Sequence, residues 1–375
     1  MVRILIAGDF APRARIAQLI EEERYSDFLS DVRQYTSKAD YSIVNLEAPI
    51  VYSNDAKKID KYGPHLRCDY RTIHAVKYSG FDMVTLANNH FYDYGIVGVK
   101  NTLDVCRKEG IDVVGGGINI MDASKTVYKE IKGIKIAFIN CCEHEFSVAT
   151  EVTGGTNPID PIRQYNAISE ARKIADKVIM ITHGGHEHFQ LPSLRMKQLY
   201  HFFIDAGADA VINHHQHCFS GYEVYKEKPI FYGLGNFCFD IIPTRVDSIW
   251  NKGYMVELLI DDKIDFSIYP YTQCDELPKV QILPSASFKD QLDELNSVIS
   301  SDIMLKEAMD KYYSSTSRDE MSVLEPYQGR ISVKLFSMGL LPKFVRGLKI
   351  LQILNHVECE SHRDRIIYAL KKGDK

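Results

Sequence analysis

Seven of the thirteen histidines in this 375-residue chain fall between Val178 and His217, six of them in two bursts that each close an apolar run. His183-Gly-Gly-His186-Glu187-His188 follows Val178-Ile-Met-Ile-Thr182, and Asn213-His214-His215-Gln216-His217 follows Ala210-Val-Ile212. Runs this short and β-branched read as buried strands. The imidazoles are therefore delivered to the carboxyl ends of strands, where open α/β sheets gather their ligand-binding loops. One histidine there is an ordinary polar loop residue. Several crowded together would repel when protonated, so a metal that holds them neutral gives the lower-energy arrangement. Imidazole suits zinc, iron, copper and nickel, and neighbouring carboxylates extend the choice to manganese. His201 sits inside the helical pattern Leu194 to Ala206 and is set aside as a packing or surface residue.

Around these bursts the first two thirds of the chain alternate strand and helix patterns, a βαβ rhythm. Strands are expected at Arg3 to Ala7, Tyr41 to Leu46, Met83 to Ala87 and Ile111 to Val114. A hairpin is expected from Thr126 to Asn140 across Lys132-Gly133. Helices are expected from Arg13 to Gln34, Tyr70 to Tyr78, Ile96 to Lys108 and Pro161 to Ala175. Gly221 to Tyr225, Ile230 to Tyr232, Tyr254 to Ile260 and Lys263 to Tyr269 read as consecutive antiparallel strands, with Asp261-Asp262 in a turn. Gly115-Gly-Gly117 lacks the spacing of a phosphate-cradling loop and reads as a turn.

With 45% hydrophobic and 25% charged residues, the chain can bury a large core. A net charge of −5 offers no broad basic field, which excludes nucleic acid as the expected partner. The apolar run before Gly8-Asp9, Ile4 to Ala7, is too short for a signal sequence, and no stretch of eighteen apolar residues occurs. The eight cysteines contain no CxxC pair, as suits reduced thiols in a cytoplasmic protein. Near Pro284 the composition changes, which divides the chain into a domain at 1–284 and a helical extension at 285–375, with Ser314 to Glu320 as a polar linker. Ile331 to Lys375 carries nine Lys or Arg against four Asp or Glu, and Lys343 to Val357 is apolar around much of a helical circumference. That segment is expected to dock on the protein's own core, on a synthase partner, or peripherally on a membrane surface.

Three further strand ends carry ligand chemistry: Gly8-Asp9, Asn45-Leu46-Glu47, and Asn88-Asn89-His90 with Asp93 and Gly95. Carboxylates, imidazoles and a position open to water are what a hydrolytic metal site requires. The ordered series Gly8-Asp9, Asn45-Leu46-Glu47, Ala87-Asn-Asn-His90, His183-x-Gly185-x-Glu187, Asp209 leading to His214-His-Gln-His217, and Gly235-Asn236-Phe237-x-Phe239-Asp240 resembles the CapA-type proteins of poly-γ-glutamate capsule synthesis, a group with the calcineurin-like metallophosphatase fold. The resemblance runs from about Arg3 to Asp240.

It implies an α/β (α+β) fold, a metallophosphatase-like β-sandwich flanked by helices, followed here by a helical appendage. It also implies a metal shell of Asp9, Glu47, Asn89, His183, His215 and His217, with Glu47 as the bridge. The cofactor would be one or more divalent ions, Mn, Fe or Zn. His90 would be the acid and Asp93 its orienting carboxylate. Glu187, His186, His188, His214, Asn236 and Asp240 are the candidate pocket residues around them. Gly184, His188, Asn213 and Gln216 depart from residues usual in the family, altering the pocket wall and leaving the ligands. The implied function is a metal-dependent hydrolase of capsule or cell-envelope polymer biosynthesis, using metal-activated water on an amide or phosphoester of a polymer or small-molecule substrate. Two alternatives stand beside it: a soluble metallophosphoesterase of a phosphorylated metabolite, and a non-catalytic assembly protein of a capsule synthase. The N-terminal anchor of capsule-assembly members is not read in this sequence, so the expected location is cytoplasmic, or peripheral to the membrane.

Overall fold

The computed structural model describes residues 1–52 and 56–372. In chain order it begins β1 (Val2–Phe10), α1 (Ala14–Glu21), α2 (Tyr25–Thr36), β2 (Tyr41–Leu46), α3 (Arg71–Tyr78), β3 (Met83–Thr85), α4 (Gly95–Glu109), β4 (Asp112–Val114) and β5 (Gly116–Gly117). It continues α5 (Ile120–Ala123), β6 (Val127–Ile131), β7 (Ile134–Cys142), β8 (Gly155–Thr156), α6 (Pro161–Arg172), β9 (Lys177–His183), α7 (Leu194–Ala206) and β10 (Ala210–His214). Then come β11 (Tyr222–Tyr225), β12 (Lys228–Phe231), β13 (Asn236–Cys238), β14 (Lys252–Ile260), β15 (Ile264–Gln273) and β16 (Val280–Ile282). The last elements are α8 (Lys289–Ser300), α9 (Asp302–Ser322), α10 (Arg330–Ser337), α11 (Leu348–Glu358) and α12 (Glu360–Lys372).

Side chains alternate across a strand, and β1 shows what that alternation builds. Val2, Ile4 and Ile6 point into an apolar layer shared with Ile179 and Ile181 of β9 and Ala210 and Ile212 of β10. Leu5 and Ala7 point the other way, into a layer with Ile16, Phe28, Ile73 and Val99 of α1 to α4. One sheet has the order β16-β15-β14-β1-β2-β3-β4, with β13 also paired to β1; the other has the order β11-β12-β10-β9-β7-β6. The expected α/β sandwich flanked by helices is thus observed. β1, β2 and β3 run parallel in one sheet, and β7, β9 and β10 in the other. Helices α6 and α7 pack on β9 and β10. The consequence for function is geometric: carboxyl ends of strands from both sheets meet at one edge of the sandwich.

Several sequence expectations need correction. The helix expected from Arg13 to Gln34 is two helices, because Glu23 takes a left-handed φ of 55° and the Arg24 N–H closes α1 on Leu19 O at 2.9 Å. The four strands expected as one antiparallel run divide: β11 and β12 extend the second sheet, where β12 lies parallel to β10, while β14 and β15 extend the first beside β1. Between them the unexpected β13 sets Asn236 directly beside Asp9. Gly116 and Gly117 form β5, paired with β8, rather than a free turn. Ser314 to Glu320 belongs to α9 rather than to a linker. No Pro or Gly interrupts it, and its serine hydroxyls return to the helix, Ser315 to Tyr312 O at 2.7 Å and Ser317 to Ser314 O at 3.1 Å.

The chain divides into two compact units, Met1–Leu305 and Lys306–Lys375. Within the second, Glu325 accepts the backbone N–H groups of Phe344 and Val345 at 2.9 and 3.2 Å, and Tyr327 packs on Phe336 and Phe344. Leu348, Leu351, Leu354 and Val357 of α11 are exposed. Seven cysteines are buried and Cys359 is partly exposed. No helix among the described residues is long and apolar enough to cross a membrane.

Candidate metal centre and its cleft

Asp9 is the penultimate residue of β1, Glu47 follows β2, Asn89 and His90 follow β3, His183 ends β9, and His215 and His217 follow β10. All six candidate ligands are buried. Ligand atoms of Glu47, His183 and His215 lie within 4.8 Å of one another, as do those of Asp9, Glu47 and His217. Glu47 is common to both groups. Its Oε1 is 3.7 Å from His183 Nε2 and 3.7 Å from His217 Nε2. Asn89 completes the first group, its Oδ1 lying 3.1 Å from His183 Nε2, which is itself 3.1 Å from His215 Nδ1.

Glu47 decides whether this set suits a cation. It is fully buried, and neither carboxylate oxygen has a hydrogen-bond partner among the described residues. An unpaired buried carboxylate is among the costliest groups a fold can hold. Burial first, and then the charge of Asp9, push its carboxyl well above the usual carboxylate range. The imidazoles shift in the complementary direction. Burial lowers His183 well below the usual histidine range, His215 to about 4 and His217 to about 3. Neutral imidazoles around an acid whose oxygens have no donor are the donor set a divalent cation takes, and such a cation would restore the charge on Glu47. The six residues therefore fit a metal.

The surrounding contacts orient the ligands. Asp9 Oδ1 accepts Asn45 Nδ2 at 2.8 Å and its Oδ2 accepts the His215 N–H at 3.2 Å. Asn236 donates Nδ2 to the carbonyls of His217 and Trp250 at 3.2 and 3.3 Å, which turns its Oδ1 toward His217 Nδ1 at 2.9 Å. His217 then carries its proton on Nδ1 and presents the Nε2 lone pair toward Glu47, the usual way a carbonyl or carboxylate fixes a ligating tautomer. His215 and His217 both adopt left-handed backbone, with φ of 95° and 55°. A conformation this unusual for residues with side chains is held by the packing around it. Gly8 is required next to Asp9 because a Cβ there would lie 1.9 Å from Gly235 O.

A cleft of about 430 Å³ opens beside the centre, lined by Asn89, His90 and His217 from the polar edge and by Phe239 and Trp250 among its apolar residues. His90 Nδ1 is 2.7 Å from Asp93 Oδ2, which also accepts the Leu66 N–H at 2.7 Å. Burial lowers His90 below the usual range, against the opposing effect of Asp93. Glu187 and His188 line the same cleft. The other expected pocket residues lie elsewhere. His214 bridges the two sheets, its ring 3.0 Å from Ala7 O and 3.4 Å from Thr182 O. Asp240 is buried and paired with Arg15, and Asn236 stands behind His217. His186 is half-buried and outside the lining.

Four contributors carry no signature in the sequence. Lys61 pairs with Asp93 through a nearly buried ammonium and lies 3.3 Å from His90 Nδ1. Glu145 Oε1 is 3.9 Å from His215 Nε2, and Arg13 and Arg245 line the cleft. Lys61 comes from an irregular stretch before α3, where charge and turn residues would be read as solvated loop; only the Tyr62-Gly63-Pro64 turn hints at a fixed path.

Fold and site together define a helix-flanked α/β sandwich with a candidate two-cation centre where its two sheets meet. The chain belongs to the family described as bacterial capsule synthesis protein PGA_cap, which it matches over residues 3–241. It is similar to the PGA biosynthesis protein CapA of Bacillus subtilis (strain 168), 35% identical over 62% of this chain and 62% of that one. It is also similar to the capsule biosynthesis protein CapA of Bacillus anthracis, 32% identical over 63% of this chain and 59% of that one. The match thus spans about three fifths of the length of these curated relatives. Among solved structures, a hypothetical protein from Thermus thermophilus aligns with 76% of this chain and 100% of its own, at 16% identity and a TM-score of 0.46.

Proposed function

We propose that this protein is a metal-dependent hydrolase serving the biosynthesis of poly-γ-glutamate or a related capsule or cell-envelope polymer. Glu47 carries the reading: a fully buried acid whose two oxygens have no hydrogen-bond partner among the described residues, shared between two groups of imidazole and carboxylate ligands. An assembly protein with no use for a cation has no reason to keep so costly a group. Asp9, Glu47, Asn89, His183, His215 and His217 would hold the metal, which when bound would supply Lewis acidity and activate water. His90 is the group of this chain that handles the proton. Asp93 takes its Nδ1–H and leaves Nε2 for the cleft. Burial lowers the proton affinity of the ring in the free protein. An anionic substrate beside it raises its affinity for a proton, which Nε2 can then pass to a leaving group.

The test has two parts. Purified protein, made metal-replete, is expected to hold stoichiometric Mn, Fe or Zn by elemental analysis. It is also expected to cleave at least one member of a panel of γ-glutamyl peptides and phosphoesters, with His90→Ala losing on the order of 10²- to 10⁴-fold in kcat. Absence of bound metal, or no turnover in any metal, would overturn the reading. Cleavage of phosphoesters alone would make the protein a phosphoesterase.

A further inference from the structure

The cleft beside the metal ligands is lined by three cationic residues, Arg13, Lys61 and Arg245, and two acids, Glu145 and Glu187. Their states differ. Lys61 is already paired with Asp93, so its charge is committed. Glu145 approaches His215 at 3.9 Å, at the metal end of the cleft. Glu187 is exposed at the cleft wall, where solvent screens its charge. Arg13 and Arg245 are exposed, and among the described residues neither closes on a carboxylate. Elsewhere in the same unit the arginines do so repeatedly. Arg3 pairs with Glu257, Arg15 with Asp240, Arg71 with Asp69 and Arg172 with Asp209. A single residue separates Arg13, open to the cleft, from Arg15, which is bound through several nitrogens to Asp240.

Arg245 is also held in place. Its guanidinium lies over the Trp250 ring at 5.0 Å, and Trp250 is wedged against Phe239 and His217 at 4.9 Å each. A stacked guanidinium keeps its edge N–H groups free in a fixed plane, the geometry that matches the two oxygens of a carboxylate or phosphate. We propose that Arg13 and Arg245 form the specificity-determining clamp of this cleft, binding an oxyanion, carboxylate or phosphate, that the substrate carries away from the bond that reacts. The proposal rests on the hydrolase reading for its substrate, but the clamp itself needs no metal.

Metal-stripped full-length protein and its Arg13→Gln/Arg245→Gln double variant would be examined by equilibrium dialysis with inorganic phosphate and with glutarate, using glutaramide as the uncharged control. Quenching of Trp250, the single tryptophan of the chain, gives a second readout on wild type. Saturable binding of at least one anion is expected, with no binding of glutaramide and at least a tenfold loss of affinity in the double variant. Arg245→Lys should retain part of the affinity. Preference for glutarate identifies a carboxylate substrate, and preference for phosphate a phosphorylated one. Failure of the metal-free protein to bind either anion, or equal affinity in the double variant, overturns the clamp. Anion binding that appears only with metal overturns the clamp and leaves the hydrolase reading intact. Arginine-dependent binding in a protein that takes up no metal does the reverse.

Discussion

At Glu47, burial and charge oppose each other directly. A glutamine there keeps the volume and removes the charge, which separates the cost of burying the acid from its use. Glu47→Gln is expected to stabilise chelator-treated protein at pH 7 by about 1–3 kcal/mol, because the wild-type fold must take up a proton to bury the acid and glutamine needs none. Wild type should gain about 2.7 kcal/mol when metal is added at a hundred times its dissociation constant, and the variant should gain almost none. Denaturant melts with and without metal read both numbers. Equal stabilisation of the two proteins by metal would remove Glu47 from the ligand set. Asn236 is instructive from the other side: it reads in sequence as a pocket residue beside Phe237, yet its amide is spent on two carbonyls and on His217. Residue type and strand-end position point to the chemistry of a site. They do not tell which side chains face the cavity and which stand behind it.

Individual elements were legible wherever apolar periodicity was strong. β1, β2, β9 and β10, and with them Asp9, Glu47, His183 and His215, stand where the pattern set them, because strands buried on both faces read as short continuous apolar runs bounded by polar residues. Pairing between elements was less legible. β13 has only three residues and no apolar alternation long enough to detect, yet it lies parallel to β1 and brings Asn236 level with Asp9. The stretch holding Lys61 has no periodicity at all, so its approach to Asp93 rests on tertiary contacts that local sequence does not encode. The β1 to β13 contact also makes a prediction at this scale. Gly8→Ala would place a methyl 1.9 Å from Gly235 O, between backbone atoms that cannot yield like the tip of a side chain. We expect a loss of about 1–3 kcal/mol by thermal or chemical melting, together with weakened metal binding, since Asp9 moves with the strand. A variant as stable as wild type would show that the two strands can separate freely.

Across the whole molecule, the centre couples stability to pH, and its groups act with opposite signs. His215 and His217 titrate lower in the folded protein, at about 4 and about 3, than in the unfolded chain near 6.5. Their contribution is present above pH 6.5 and is lost as pH falls toward those values, about 2 kcal/mol each at pH 5. Glu47 is raised, so its contribution is present below the unfolded carboxylate value and is lost as pH rises. Chelator-treated protein should therefore lose stability between pH 7 and pH 5, with the loss partly offset by Glu47. Glu47→Gln should steepen that slope and His217→Gln should flatten it. Melts at several pH values check the ordering of the three slopes, and a reversed order would contradict the assigned shifts.

The uneven burial of the cysteines has a practical consequence. Seven are enclosed in the structure and Cys359, in the second compact unit, is partly exposed. A neighbouring Ser361 hydroxyl favours its thiolate, so it is the first sulfur that a maleimide dye would meet. Trp250 is the only indole, and it lies in the first unit. Without any engineered residue, the chain thus carries one energy-transfer donor and one attachment point for an acceptor, one on each of its two units.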